Sequence, residues 1–385
     1  MPRRPCWVEI SARAFEKNYR LLAEASQPVE LLAIVKANAY GHGLEICAPA
    51  AARAGARWLG VTSVEEGAAA RSLCPEPEIL VISGPFPGQG AAVVANRLTL
   101  AVWDAWQLDE LDNAVSRAGI DSLPVHLELD TGMTRQGVSE DELDAALARF
   151  AAGRLRLSGV MTHLYAADES DGEISLAQLD RLQAMIAGIH AQGLRPNWLH
   201  VGNSAAVLGG LVLPALAALG ERYGMRPMAR PGLALYGLVP EYEPELPVPA
   251  EADLERVLEW KTQVVTVRSV PVGASIGYNG TFVATEPIRV ALLAVGYADG
   301  LKRGLSNCGE VLVRGQRAPI VGRISMDQTM VDVTSIEGVA PQDEVVLIGC
   351  QGNDAITAED HARWVGTIPW EIFTSITARV ERIAI

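Results

Sequence analysis

The sequence lacks the spacings that announce a disulfide framework or a metal centre. Its five cysteines, Cys6, Cys47, Cys74, Cys308 and Cys350, form no C-x-x-C pair. Their number is odd, and reduced thiols in a cytoplasmic protein are expected. The six histidines have no H-x-x-x-H or H-E-x-x-H spacing, so no metal site is expected. Positive charge is also scarce: 32 Lys and Arg face 46 Asp and Glu, a net charge of −14. That deficit argues against a nucleic-acid partner, which calls for a basic patch, and against an anionic membrane surface. No apolar window has the length of a membrane span. The first residues, "MPRRPCWVEI", have no apolar stretch behind their arginines, so neither a signal peptide nor a membrane anchor is expected.

What is present suits a packed enzyme. The 385 residues are 49% hydrophobic and 20% charged, enough for two domains with real cores. Apolar runs fall near 31–36, 57–62, 78–83, 98–102, 124–129, 156–163, 197–202 and 229–236, and helix-like segments separate them. Ser11 and Ser63 are placed as N-caps, and Ser139 with Glu142 has capping-box spacing. In "ISLAQLDRLQAMIAGIHAQG", Leu176, Leu179, Leu182, Ile186 and Ile189 share one helical face. Eight such strands alternating with helices predict an α/β fold, an eight-stranded (β/α)8 TIM-type barrel over 11–240. A doubly wound sheet is the alternative.

The rhythm changes at 240–250, "PEYEPELPVPA", which reads as a linker. Closely spaced β-branched runs follow, predicting a mostly antiparallel β domain over 241–385. Residues 1–10 are expected to add a strand to it. One amphipathic helix is expected around Pro369 to Arg379.

In such barrels the chemistry sits at the carboxyl ends of the strands. Reading off those ends gives Lys36, Glu128, His163, His200 and Arg230, with Arg135 in "DTGMTRQG" and Asn203 and Ser204 in "VGNSAA". A lysine closing the apolar run "LLAIV" is costly unless solvated, paired or chemically altered. Each residue alone has a structural reading, and Lys36 could snorkel to solvent. Their convergence on one rim suggests a Schiff-base lysine, a phosphate-holding helix start and an aromatic ring, hence pyridoxal 5′-phosphate.

Nine segments, in order, carry a resemblance: "AIVKANAYGHG", "DTGMTRQG", "HLYAAD", "NSAA", "RPGLALYG", "SIGYNGTF", "VGYADG", "GRISMDQTMVD" and "EIFTSITARVER". Over nearly its whole length the chain resembles the alanine racemases, the fold-type III pyridoxal-phosphate racemases. The resemblance implies interconversion of L- and D-alanine, serving peptidoglycan precursors or alanine catabolism. Lys36 would carry the cofactor and act as base on one face of the substrate carbon, with Tyr278 as base on the other. Tyr40 and Ser204 would contact the phosphate, with amides near Asn203 and Gly232. His163 would pack on the cofactor ring, and Arg230 would face its nitrogen with His200 behind. Arg135 and Met326 would hold the substrate carboxylate. Tyr297, Asp168, Arg303, Arg323 and Asp327 would line the access corridor. A homodimer with composite sites is implied, in which the β domain's residues complete the partner's site.

Three departures from the family pattern stand out. Glu128 occupies a position where many members have a carbamylated lysine, and a direct pair with Arg135 is expected. Trp370 replaces a tyrosine near the phosphate, so a broader or different specificity, such as serine, is the alternative function. The stretch from Ser204 to Arg230 is long and is expected to add a helix or loop. A barrel decarboxylase is disfavoured by Arg230, and a pyridoxal-phosphate carrier protein by the second domain.

Overall fold

The computed structural model describes residues 4–243 and 254–385. These fall into two units. One contains the described residues among 13–39 and 44–256. The other contains those among 1–12, 40–43 and 257–385. The predicted linker at 240–250 lies, from 244 onward, outside the described residues.

The first unit is a closed parallel barrel. With β1 (Cys6–Ile10) belonging to the other unit, the barrel strands are β2 (Glu30–Ile34), β3 (Trp58–Val61), β4 (Glu78–Val81), β5 (Thr99–Val102), β6 (Leu123–Glu128), β7 (Leu155–Met161), β8 (Trp198–His200) and β9 (Arg226–Ala229). Each pairs with the next in parallel, and β9 closes on β2 through Met228 opposite Glu30. Most strand residues are buried on both faces, as parallel strands under helices must be. The helices take their caps from sequence-local chemistry. Ser63 Oγ accepts from Glu66 N–H ahead of the helix Val64–Leu73. The helix Glu173–Ala191 buries Leu179, Leu182, Ile186 and Ile189, whereas Leu176 is exposed.

One expectation needs correction here. The eighth strand is not the apolar run at 229–236 but Arg226–Ala229, just before it. The run "LALY" forms a 3₁₀ turn over Leu233–Tyr236 instead. It is apolar because it is buried: Tyr236 packs on Phe15 and donates its hydroxyl hydrogen to Ile34 O. The long stretch after Ser204 holds two helices, Ser204–Gly209 and Val212–Tyr223.

The second unit is a nine-stranded sheet with a separate two-stranded hairpin. The long strand Leu258–Val270 is antiparallel to β1, which pairs in parallel with Glu381–Ala384 on its other edge. The remaining ladders are antiparallel. Near the end there are two helices, Ala358–Val365 and Pro369–Ser375, rather than one reaching Arg379. The first was missed because its short run "AEDHARWV" carries only two large apolar side chains, Trp364 and Val365.

Candidate active site

Lys36 lies two residues beyond β2 rather than on it. After it, Ala37, Asn38, Ala39 and Tyr40 all take left-handed backbone, with φ of 53°, 53°, 55° and 53°. Such a conformation costs an L-residue roughly 1–2 kcal/mol, and strain of this kind gathers at functional sites. Local bonds hold it. Ala39 N–H donates to Val35 O at 2.9 Å, and Leu44 N–H to Asn38 Oδ1 at 2.8 Å. Glu66 accepts from Asn38 N–H and, through its other oxygen, from Thr62 N–H.

Burial, then the Arg135 guanidinium, hold the Lys36 amine below its ordinary value. Glu66 opposes this and Arg230 adds to it. A neutral amine is the form that can attack a carbonyl carbon.

Arg230 follows β9 directly and is buried. Nη1 donates to His200 O at 2.8 Å and to His200 Nδ1 at 3.4 Å. Nη2 donates to Thr162 O at 2.7 Å and to His163 Nδ1 at 3.2 Å. Four of the five guanidinium donors are thereby engaged. The Nε–H alone remains, with no partner among the described residues. Such a donor suits a single acceptor atom, such as the unprotonated nitrogen of an aromatic ring. Burial lowers Arg230 to about 10, with Glu128 opposing. Burial, then Arg230, Arg135 and Lys36, drive His163 down to about 3, so its imidazole is neutral.

Glu128 closes β6 and is buried. The direct pair with Arg135 does not form. Gln136 Nε2 donates to Glu128 Oε2 at 2.6 Å instead, while Arg230 and Arg135 act on the carboxylate only through their fields. The reason is local. Asp130 Oδ1 takes the amides of Gly132 and Thr134, and the turn it builds directs Gln136 toward Glu128. Burial raises the Glu128 carboxyl, and Gln136, Arg230 and Arg135 oppose that rise. Arg135 is exposed and has no hydrogen-bond or ion-pair partner among the described residues. It is a cation open to an incoming anion.

Asn203 caps the helix Ser204–Gly209, its side chain accepting from Ala206 N–H at 3.1 Å. Ser204 Oγ accepts from Gly232 N–H at 3.0 Å and Ala234 N–H at 3.1 Å, leaving its hydroxyl hydrogen to donate. The Gly232 amide is thus engaged by Ser204. Asp168 is exposed, and among the described residues only its carbonyl is bonded, to Glu243 N–H at 3.1 Å. It does not join the cluster of Lys36, Glu128, Arg135, His163 and Arg230.

The other candidates belong to the second unit. Tyr40 is half-buried, and its carbonyl meets His42 Nδ1 at 3.0 Å. Arg382 Nε donates to Gly41 O at 3.1 Å, and the His42 ring meets Phe373 edge-on. A Cβ on Gly41 would lie 2.3 Å from Phe373 O, so glycine is required there. Phe373 shares its short helix with half-buried Trp370. Tyr278, on the turn of the two-stranded hairpin, is 69% exposed, and Tyr297 and Met326 are 41% and 53% exposed. The last two are carried by loops zipped together. Tyr297 N–H donates to Ser325 O and Ala298 N–H to Met326 O, both at 3.0 Å. Arg303 is exposed and Arg323 half-buried. Asp327 is already paired, with Arg379 at 2.8 Å.

Sequence reasoning missed Glu66, Thr162, Gln136 and His126. Only the last carried a signal: His126 lies two residues before Glu128 and so on the same strand face.

The comparisons agree across the full length. The alanine racemase N-terminal domain family matches residues 10–240, and the alanine racemase C-terminal domain family matches 257–384. The chain is 42% identical to the alanine racemase of Symbiobacterium thermophilum, over 98% of this chain and 97% of that protein. A Bacillus anthracis alanine racemase solved with bound L-Ala-P is 34% identical, with a TM-score of 0.89 over 100% of this chain and 96% of that one. The Bartonella henselae alanine racemase, solved with covalently bound pyridoxal phosphate, is 29% identical, with a TM-score of 0.82 over 99% of each chain. With both domains matched in order around a rim that gathers a lysine, two arginines, a histidine and a capped helix start, this chain belongs to the alanine racemase family.

Proposed function

We propose that this chain interconverts L- and D-alanine with pyridoxal phosphate held at the barrel rim, in a homodimer whose sites are composite. The observation that carries the reading is Arg230, with four donors engaged inside the barrel and Nε–H left over, in the field of a half-buried lysine of lowered basicity. The donor set fits the cofactor group by group. Lys36 suits its aldehyde and Arg230 its ring nitrogen. His163 suits its ring face, and the Ser204 hydroxyl with Tyr40 suits its phosphate. Trp370 lies on the helix that supports the Tyr40 segment.

Pyridoxal phosphate, when bound, holds the amino acid by its amine and weakens the Cα–H bond by drawing electrons into its ring. Arg230 donates to the ring nitrogen without protonating it, because an arginine keeps its protons even when burial lowers its basicity. This tempers the electron withdrawal and disfavours side reactions. Arg135, without a partner among the described residues, binds the substrate carboxylate, with the backbone at the partner subunit's Met326 as the second contact. Glu128 balances the cationic cluster. Lys36 moves a proton at its Nζ on one face of the substrate carbon, and the partner subunit's Tyr278 moves one at its hydroxyl on the other. Tyr297, Arg303, Arg323, Asp327 and Asp168 border the access path.

The dimer reading is supported by Tyr278, Tyr297 and Met326, which are exposed yet held on braced loops. Solvent-facing rings on fixed loops suit a site completed by a second copy. The cytoplasm is supported by five cysteines, none of them paired. No helix among the described residues is long and apolar enough to cross a membrane.

The test is direct. Purified with cofactor, the protein is yellow and borohydride bleaches it. In deuterium oxide L-alanine loses its α-proton signal as D-alanine accumulates. Lys36→Ala loses the colour, and Tyr278→Phe keeps the colour but loses racemisation. A colourless wild-type protein, or release of carbon dioxide in place of D-alanine, contradicts the reading.

A further inference from the structure

Beneath Arg230 the barrel contains a histidine with no part in the reaction described so far. His126 lies on β6, two residues before Glu128, and is wholly buried. Its Nδ1 is 2.8 Å from His200 Nε2. On its far side, His200 Nδ1 is 3.4 Å from Arg230 Nη1, which also donates to His200 O.

This chain of contacts has one consistent direction. A guanidinium has donors only. His200 Nδ1 therefore accepts, and the His200 proton resides on Nε2, where it is donated to His126 Nδ1. His126 in turn holds its proton on Nε2. That atom is buried and has no hydrogen-bond partner among the described residues. The opposite arrangement would set an N–H of His200 against an N–H of Arg230.

The ring is also held in place. A Cβ on Gly159 would lie 2.6 to 2.7 Å from three atoms of the His126 ring, so glycine at 159 makes room for it. Trp58 stands alongside at 5.5 Å between centroids. An orphaned N–H in such a place carries an uncompensated desolvation cost, which an apolar side chain of the same shape would avoid. What the histidine supplies is the acceptor at Nδ1.

We propose that His126 is a positioning residue for the racemase. By accepting from His200 it fixes the tautomer of that ring, and His200 so fixed aims the remaining Nε–H of Arg230 at the cofactor's ring nitrogen. The proposal rests on the assignment of Arg230 to that nitrogen.

The experiment contrasts His126→Asn, whose side-chain oxygen falls where Nδ1 lies, with His126→Gln, whose oxygen falls where Nε2 lies. Two quantities are read on the full chain. One is the His200 tautomer in cofactor-free protein labelled with ¹⁵N-histidine. The other is the Kd for added pyridoxal phosphate. The Asn variant keeps the Nε2-protonated His200 and binds the cofactor within about twofold of wild type. The Gln variant mixes the His200 tautomers and binds it about tenfold more weakly, with kcat reduced more than KM. Should the Gln variant not fold, His126→Phe removes the acceptor at similar volume and takes the same readings. An unchanged His200 tautomer when the acceptor is gone overturns the proposal. A mixed tautomer with unchanged cofactor affinity overturns instead the assignment of Arg230 to the ring nitrogen.

Discussion

Gln136 Nε2 donates to Glu128 Oε2 at 2.6 Å, so a neutral amide, not the adjacent Arg135, is what ties down the buried carboxylate of the site. Arg135 is thereby left open for an anion, while Glu128 still offsets the charge of Arg230 and Arg135 through space.

Removing that charge should be felt at once. Glu128→Gln leaves the cationic cluster uncompensated and is expected to lower kcat/KM for alanine by at least about tenfold. Gln136→Leu keeps the charge but removes the bond that opposes burial, so the Glu128 carboxyl rises further. The acidic limb of its kcat/KM profile should therefore move to higher pH than in wild type. Steady-state kinetics across pH on both variants check this, and wild-type behaviour in both would contradict the role given to Glu128.

Acid stability follows from the buried histidines. Burial is the leading cause that holds His126 and His163 at about 3, His361 at about 4 and His200 well below its ordinary value. Their folded values are depressed, so the unfolded chain binds more protons below about pH 6.5. Stability is full above that pH and falls as pH drops toward 4, with up to about four protons taken up on unfolding at pH 5. Glu128, whose carboxyl is raised, works in the opposite sense with a single proton. Urea-unfolding midpoints between pH 7 and 4.5 test this. A flat profile would mean that the histidines are not buried as neutral rings.

Asp299 gives a third prediction, in the second unit. Its side chain is inaccessible to solvent, accepts from Gly296 N–H at 2.9 Å, and pairs with Arg4 at 3.0 Å and Arg379 at 3.4 Å. Through Gly296 it sets the loop that bears Tyr297. Asp299→Asn removes the carboxylate that pairs with Arg4 and that Arg379 shares with Asp327. We expect KM for alanine to rise about tenfold with a smaller change in kcat, since in the proposed site the loop borders the substrate path rather than the reacting atoms. The measurement is the KM and kcat split, and a change in kcat alone would contradict it.

Much of the barrel was legible because parallel strands are buried on both faces and read as unbroken apolar runs. Polar residues at the ends of those runs, Glu128 and His200 among them, then marked the rim. The eighth strand was misplaced because Arg226 and Pro227 look like loop while "LALY" is apolar for a tertiary reason, its burial around Tyr236. The left-handed run from Ala37 to Tyr40 left no trace, since alanine, asparagine and tyrosine carry no preference strong enough to announce it. Gln136 and Glu128 meet only because a turn at Asp130 folds the chain back, which no periodicity encodes. The expectation that Tyr278 and Met326 take part in the site came through resemblance alone. Nothing local to those segments ties them to a lysine more than two hundred residues earlier.

The central claim, that Lys36 of one subunit works with Tyr278 of the other, is tested by mixing two inactive proteins. Lys36→Ala and Tyr278→Phe homodimers are each expected to lack racemisation. After subunit exchange, a mixed dimer holds one site with both residues intact, and about a quarter of wild-type activity should return. If exchange is complete and no activity returns, both bases come from the same chain and the composite site is wrong.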